Sequence, residues 1–174
     1  MQLHLITSKD ELRPVMNHIL FTREVMVATD GAKLGVIPTN ELLSEELIAE
    51  IPNVGVLVHP DDYKLMLAAE NIVGESDNVW RLIYKKGNKR DQLIELRQQS
   101  DVGQYPNWEA VVPNYDTPTE AKEKIALNAE HLALLQKALG SNSLKLTFHE
   151  GNKPIKVEAK DTGRYGIIMP VLLW

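Results

Sequence analysis

The chain has 174 residues, 44% of them hydrophobic, and sets 19 Lys and Arg against 24 Asp and Glu for a formal net charge of −5, with no cysteine. That suits a globular protein with one sizeable core or two small domains, and it excludes disulfides, thiolate catalysis and cysteine metal sites. The acidic balance argues against affinity won by broad neutralisation of phosphates. With no apolar run of about 18 residues and no basic-then-apolar start, a cytoplasmic protein without membrane contact is expected.

In chain order, Leu3 and Leu5 alternate with Gln2 and His4, a short-strand pattern, before a connection around Thr7-Ser8-Lys9-Asp10. Arg13 to Phe21 is another β-type run, linked by Thr22-Arg23-Glu24 to Val25-Met26-Val27-Ala28, whose unbroken apolar character fits a strand buried on both faces. Asp30-Gly31 offers the left-handed conformations of a tight turn, and Lys33-Leu34 starts the return strand. From Pro38 to Glu50, Leu42, Leu43, Leu47 and Ile48 suit one short helix. Val54 to Val58 reads as a buried strand. His59-Pro60-Asp61-Asp62 then opens a helix, because proline suits the first helical position and acids suit the first turn; Tyr63, Met66 and Leu67 give it an inward face.

Val79 to Lys86 and Asp91 to Arg97 form a hairpin about Gly87-Asn88, with Trp80, Leu82 and Tyr84 on one face. Thr117-Pro118-Thr119-Glu120 is a capping box, and composition alone favours one long helix from Pro118 to Leu139. An internal echo argues otherwise. Val58-His59-Pro60-Asp61-Asp62-Tyr63-x-x-Met66 is matched by Leu127-Asn128-Ala129-Glu130-His131-Leu132-x-x-Leu135, and Trp80, Leu82, Tyr84 and Gly87-Asn88-Lys89 by Leu144, Leu146, Phe148 and Gly151-Asn152-Lys153. The echo predicts a strand over 124–127, Asn128 as N-cap, Leu132, Leu135 and Leu139 facing inward, and Gly140 as the stop. The expectation is an α+β fold of duplicated strand-helix-hairpin units, two helices packed on antiparallel sheets, forming a single domain with unit one about 1–113 and unit two about 114–174.

Three stretches carry a more specific signal. Arg13-Pro14, Met16-Asn17-x-Ile19-Leu20-Phe21 and Val27-Ala28-Thr29-Asp30-Gly31-x-Lys33-Leu34 resemble the middle domain of the bacterial DNA sliding clamp, the β subunit of the replicative polymerase. Tyr105-Pro106-Asn107-Trp108-Glu109-Ala110-Val111-Val112-Pro113 is similar to the stretch that closes that domain, and Ile168-Met169-Pro170-Val171-Leu172-Leu173 to the end of clamp chains. A full clamp chain has three domains, so the two units would correspond to the second halves of the middle and last ones. The resemblance implies a DNA-clamp-like fold and a hydrophobic groove for short peptide motifs of polymerases and other replication or repair proteins. Residue by residue it points to Met16, Thr29, Gly31, Lys33, Leu34, Pro106, Val111, Ile167, Met169 and Pro170 as the peptide-binding set. Apolar strand positions of this kind are otherwise plain core, and Asp-Gly is otherwise only a turn. Ala32, Leu172 and Trp174 depart from the family pattern, so the peptide preference can differ.

The resemblance implies no cofactor, no metal and no catalysis. His59 with Asp61 and Asp62 sits at a spacing that capping explains, and His4, His18, His131 and His149 lack paired ligand spacing. The implied partners include duplex DNA held without sequence preference, with Lys64 and Lys137 on the two helices as weak DNA-facing candidates. Lys85, Lys86, Lys89 and Arg90 read instead as a solvated hairpin tip. The alternatives are a homo-oligomeric ring that encircles DNA as a processivity factor, and a non-catalytic structural remnant or decoy of a clamp.

Overall fold

The computed structural model of the protein describes residues 1–84, 90–113, 125–149 and 153–171. Strands β1 (Ile19–Phe21), β2 (Val25–Thr29) and β3 (Lys33–Pro38) form the expected meander. β4 (Val56–Val58) adds to its β1 edge. On the other side β3 pairs with β10 (Tyr165–Ile168), then come β9 (Ile155–Ala159) and β8 (Leu144–Thr147). The result is a seven-stranded antiparallel sheet in the order β4-β1-β2-β3-β10-β9-β8. A second, three-stranded sheet is built from β5 (Asn71–Ser76), β6 (Val79–Ile83) and β7 (Gln92–Glu95).

Alternation along the strands gives the large sheet two apolar faces. One carries Ile19, Phe21, Met26, Ala28, Ile37, Val56, Val58, Val157 and Ile168, which share a core with the helices. Helix α1 (Glu45–Glu50) contributes Leu47, α2 (Pro60–Ala68) Tyr63 and Met66, and α4 (Ala129–Leu139) Leu135, Ala138 and Leu139. The opposite face carries Leu20, Val27, Leu34, Val36, Leu57 and Ile167 and is covered by Tyr105, with Val15, Val102, Trp108, Val112 and Tyr165 packed around it. That second face positions the site.

Caps fix both longer helices as their sequences require. His59 accepts the Asp61 N–H through Nδ1 at 3.2 Å, and Asn128 Oδ1 accepts the Glu130 N–H at 2.9 Å. Gly140 ends α4 at φ +66°, the left-handed stop expected of it. Two paired glycines let α4 lie close on the sheet: Gly35 and Gly166 face each other across β3 and β10, and a Cβ on Gly166 would stand 2.7 Å from Leu135 Cδ2 and 2.8 Å from the Leu34 carbonyl oxygen.

Several expectations are corrected. Leu3–Leu5 is a turn of 3₁₀ helix packed against both α2 and α4, because three residues are too few for a period of two to exclude a single turn. Pro14–Asn17 is likewise a 3₁₀ turn, started by a proline that suits a first turn, and the strand begins only at Ile19. The segment 38–50 divides into a 3₁₀ turn, Thr39–Glu41, and α1, which Ser44 caps. Gly55 takes φ +79°, so β4 starts at Val56 and Val54 lies exposed. Of the strand expected over 124–127, the described residues form a single bridge, Ala126 to Val171; they are not helical, so no continuous helix runs from 118 to 139. Phe148, the counterpart of Tyr84 in the echo, is exposed rather than packed. Strand β5, the short helix α3 (Gln99–Val102) and the 3₁₀ turn Glu109–Val111 were not anticipated. The Thr117–Glu120 capping box, the Gly87-Asn88 and Gly151-Asn152 tips, Lys85, Lys86, Lys89, Leu172 and Trp174 lie outside the described residues.

Candidate functional site: an apolar cleft on the covered face of the sheet

The site is built on the β2–β3 turn. Asp30 and Gly31 do not share the left-handed role: only Gly31 takes it, at φ +90°. Asp30 works through its carboxylate instead. Oδ1 accepts the N–H groups of Ala32 and Lys33, each at 3.0 Å, while Oδ2 pairs with Lys33 Nζ. Thr29 Oγ1 donates to the Lys33 carbonyl at 2.8 Å and accepts the Gly31 N–H at 3.1 Å, which closes the turn from the other side. The Lys33 side chain is only 6% exposed, and its charge is met by Asp30. Burial by itself would raise the Asp30 carboxyl, but the Lys33 ion pair and the two backbone donors outweigh it and hold the group below the usual carboxylate value.

Three other segments meet this turn. The Pro14–Asn17 turn brings Arg13 and Met16 against Gly31, where the Arg13 Nη1 and Met16 Cε atoms lie 3.6 and 3.7 Å from the place a Cβ would occupy. Tyr105 anchors the covering segment: it is buried, its hydroxyl donates to the Val27 carbonyl at 3.3 Å, and its N–H donates to the Gln99 side chain at 2.9 Å. From that anchor Pro106, Asn107, Trp108 and Val111 reach the turn's flank. Finally β10 sets Ile167 opposite Leu34, and the Met169 N–H donates to the Ala32 carbonyl at 3.2 Å, tying the chain beyond β10 to the turn.

Between these segments lies a cleft of about 210 Å³. Met16, Thr29, Gly31, Lys33, Leu34, Pro106, Val111, Ile167 and Met169 line it, nine of the ten residues singled out from the sequence. Pro170 does not; it follows Met169 outside the lining, as the chain turns to bridge Val171 with Ala126. Arg13, Ala32, Asn107 and Trp108 line the cleft as well. All four lie within the stretches that carry the resemblance, Arg13 with Pro14, Ala32 in the Asp30-Gly31 turn, and Asn107 and Trp108 between Tyr105 and Pro113, so membership of those stretches is the signal available for them. Leu34 and Ile167 form a buried floor, whereas Val111 and Met169 are 46% and 44% exposed and present apolar surface at the rim. A larger depression of about 540 Å³, between β4 and the β5–β6 turn, has Trp80 and Val56 in its wall and Glu50, Glu75 and Asp77 among its lining residues, but takes in none of the residues singled out from the sequence.

The remaining candidates fall elsewhere. His59 is the cap of α2, which accounts for its spacing to Asp61 and Asp62. Among the described residues no group of three His, Cys, Asp or Glu is placed to hold a metal ion. Lys64 and Lys137 are exposed on α2 and α4, but Lys64 is engaged by Asp61 at 2.7 Å, and Glu130 is exposed on the same helix as Lys137, so neither helix presents a strong positive field. No helix among the described residues is long and apolar enough to cross a membrane.

No protein-family model matches the chain, and no curated protein sequence does. Solved structures do. The DNA polymerase III subunit beta of Borrelia burgdorferi, solved in complex with a natural product, aligns at a TM-score of 0.68 and 13% identity over 99% of this chain and 61% of its own. A Caulobacter crescentus beta sliding clamp aligns at 0.68 and 16% identity over 98% and 63%. A Pseudomonas aeruginosa DnaN sliding clamp bound to griselimycin aligns at 0.66 and 14% identity over 98% and 61%. The chain thus spans a little over three-fifths of the length of the clamps it matches. At such identities the likeness is one of architecture, and on that ground the chain has the mixed α and β, antiparallel fold of the bacterial DNA polymerase III β sliding clamp.

Proposed function

We propose that the protein is a non-catalytic, clamp-like interaction module, a single domain acting in the cytoplasm, whose cleft holds short peptide motifs of replication or repair proteins. One observation carries this reading: nine residues from three regions far apart in sequence, 16–34, 106–111 and 167–169, converge on one open apolar cleft. Buried strand residues would make a closed core, but here the rim is left to solvent by Val111 and Met169. The chemistry suits leucine and phenylalanine anchors, since the lining methionines Met16 and Met169 adapt to varied shapes and Leu34 and Ile167 supply the floor. Clamps of this fold from Pseudomonas aeruginosa and Bartonella birtlesii are solved with griselimycin bound, which supports a ligand-holding role for the architecture.

The test is fluorescence anisotropy with a labelled peptide of the Gln-Leu-x-Leu-Phe type. The wild type is expected to bind with a dissociation constant on the order of micromolar. Met169→Ala, or truncation after Ile168, weakens binding at least about tenfold while the circular dichroism spectrum stays native. Equal binding by the variants, or none by the wild type, removes the groove assignment and favours a structural remnant of a clamp.

A further inference from the structure

Resting on the groove reading, we propose that His18 is a positioning residue of the cleft, holding the turn that carries Arg13 and Met16 in place through its Nδ1–H bond to the Pro14 carbonyl. His18 closes the Pro14–Asn17 turn, and its Nδ1 lies 3.0 Å from Pro14 O. A carbonyl oxygen only accepts, so the proton on Nδ1 points across the turn it braces. The backbone adds the Met16 N–H to Arg13 O at 3.0 Å and the His18 N–H to Val15 O at 3.2 Å, short-range bonds of a single turn. From outside the turn, the Ser8 N–H donates to the Met16 carbonyl at 2.9 Å and Asn17 Nδ2 donates to the Asp10 carbonyl at 3.2 Å; the imidazole is the side-chain bond made within the turn itself.

The ring is itself held. It meets the His59 imidazole edge-on, with centroids 5.7 Å apart and planes at 77°, and His59 is fixed as the cap of α2. Burial lowers the His18 pKa below the ordinary histidine value, and the Pro14 bond offsets this only in part, so the ring that faces His59, Arg97 and Asp62 is neutral at pH 7. The placement of Met16 against Gly31 is thereby tied to the N-terminus of α2, on the far side of β1 from the cleft.

Two variants separate this role from general stability. His18→Asn keeps an N–H donor at the same distance from the backbone, whereas His18→Phe keeps the ring and loses the donor. In methionine-methyl NMR of the free protein, His18→Phe is expected to move the Met16 resonance and leave Met26 in place, and His18→Asn to leave both near wild type. Peptide affinity is expected to fall about fivefold in His18→Phe, the worth of one ordinary hydrogen bond, and to stay within about twofold of wild type in His18→Asn. An unmoved Met16 resonance in His18→Phe, or equal shifts in both variants, overturns the proposal. The free-protein spectrum decides this even if the wild type binds no peptide, an outcome that counts against the groove alone.

Discussion

Replacing Gly166 by alanine tests the packing that places β10, and with it Met169, beside the turn. The added Cβ would lie 2.7 and 3.0 Å from the two Cδ atoms of Leu135 and 2.8 Å from the Leu34 carbonyl oxygen. Both branches of the leucine are in the way, so a rotamer change does not clear the site, and the third obstacle is backbone. Gly35, its partner across the strands, is a built-in control. Its nearest obstacle is the tip of Ile6, at 2.5 Å, with Leu3 next at 3.1 Å and no backbone atom among its three nearest neighbours. Overpacking a tight core costs about 1–3 kcal/mol. Gly166→Ala belongs at the upper end, about 2–3 kcal/mol, and Gly35→Ala near about 1 kcal/mol, where side-chain tips absorb the strain. For a urea m-value of about 2 kcal/mol/M, these are midpoint shifts of about 1–1.5 M and about 0.5 M. A Gly166→Ala loss under about 0.5 kcal/mol, or a larger loss in Gly35→Ala, refutes the claim that α4 rests on this glycine pair.

Two further predictions follow from the charges. Asp30 has a folded pKa below its unfolded value, so the stability it contributes is present above about pH 4 and is lost as pH falls through the folded pKa. Asp30→Asn, which leaves buried Lys33 without a counterion, is expected to cost about 1–2 kcal/mol at pH 7, a difference that narrows below pH 4; urea midpoints that run parallel from pH 3 to 7 contradict it. With Lys64 engaged by Asp61 and a net charge of −5, the chain is expected to bind duplex DNA weakly and without sequence preference. Micromolar or tighter binding at physiological salt with a steep salt slope contradicts that.

Where the sequence was readable, a strong local rule and the tertiary context agreed. Val25 to Ala28 sits between two apolar layers as its unbroken apolar character implies, and Asn128 and Gly140 bound α4 because cap chemistry is local. The misreadings arose where one pattern served two structures. Leu3-His4-Leu5 satisfies a period of two and a single 3₁₀ turn equally, and only its packing against α2 and α4 decides. β5 is an edge strand with Gly74, Glu75 and Ser76 exposed and a register shift at Gly74 to Ser76, so adjacent Ile72 and Val73 are its whole apolar signal and show no period. The cleft residues were legible through resemblance and not through periodicity, which assigns Met16, Leu34 and Ile167 to ordinary core. Pro170 falls outside the cleft lining because the chain turns away after Met169, where Val171 bridges to Ala126.

The measurement that bears most directly on the groove is a titration of methionine-methyl labelled protein with a Gln-Leu-x-Leu-Phe peptide. Met16 and Met169 both line the cleft, whereas Met26 and Met66 are buried in the core on the opposite face of the sheet. Saturable shifts of the Met16 and Met169 resonances together are expected, with Met26 and Met66 unmoved. Absence of any shift at peptide concentrations well above micromolar, or shifts confined to Met26 and Met66, would contradict a peptide site between the Asp30-Gly31 turn, the Tyr105–Pro113 segment and the end of β10.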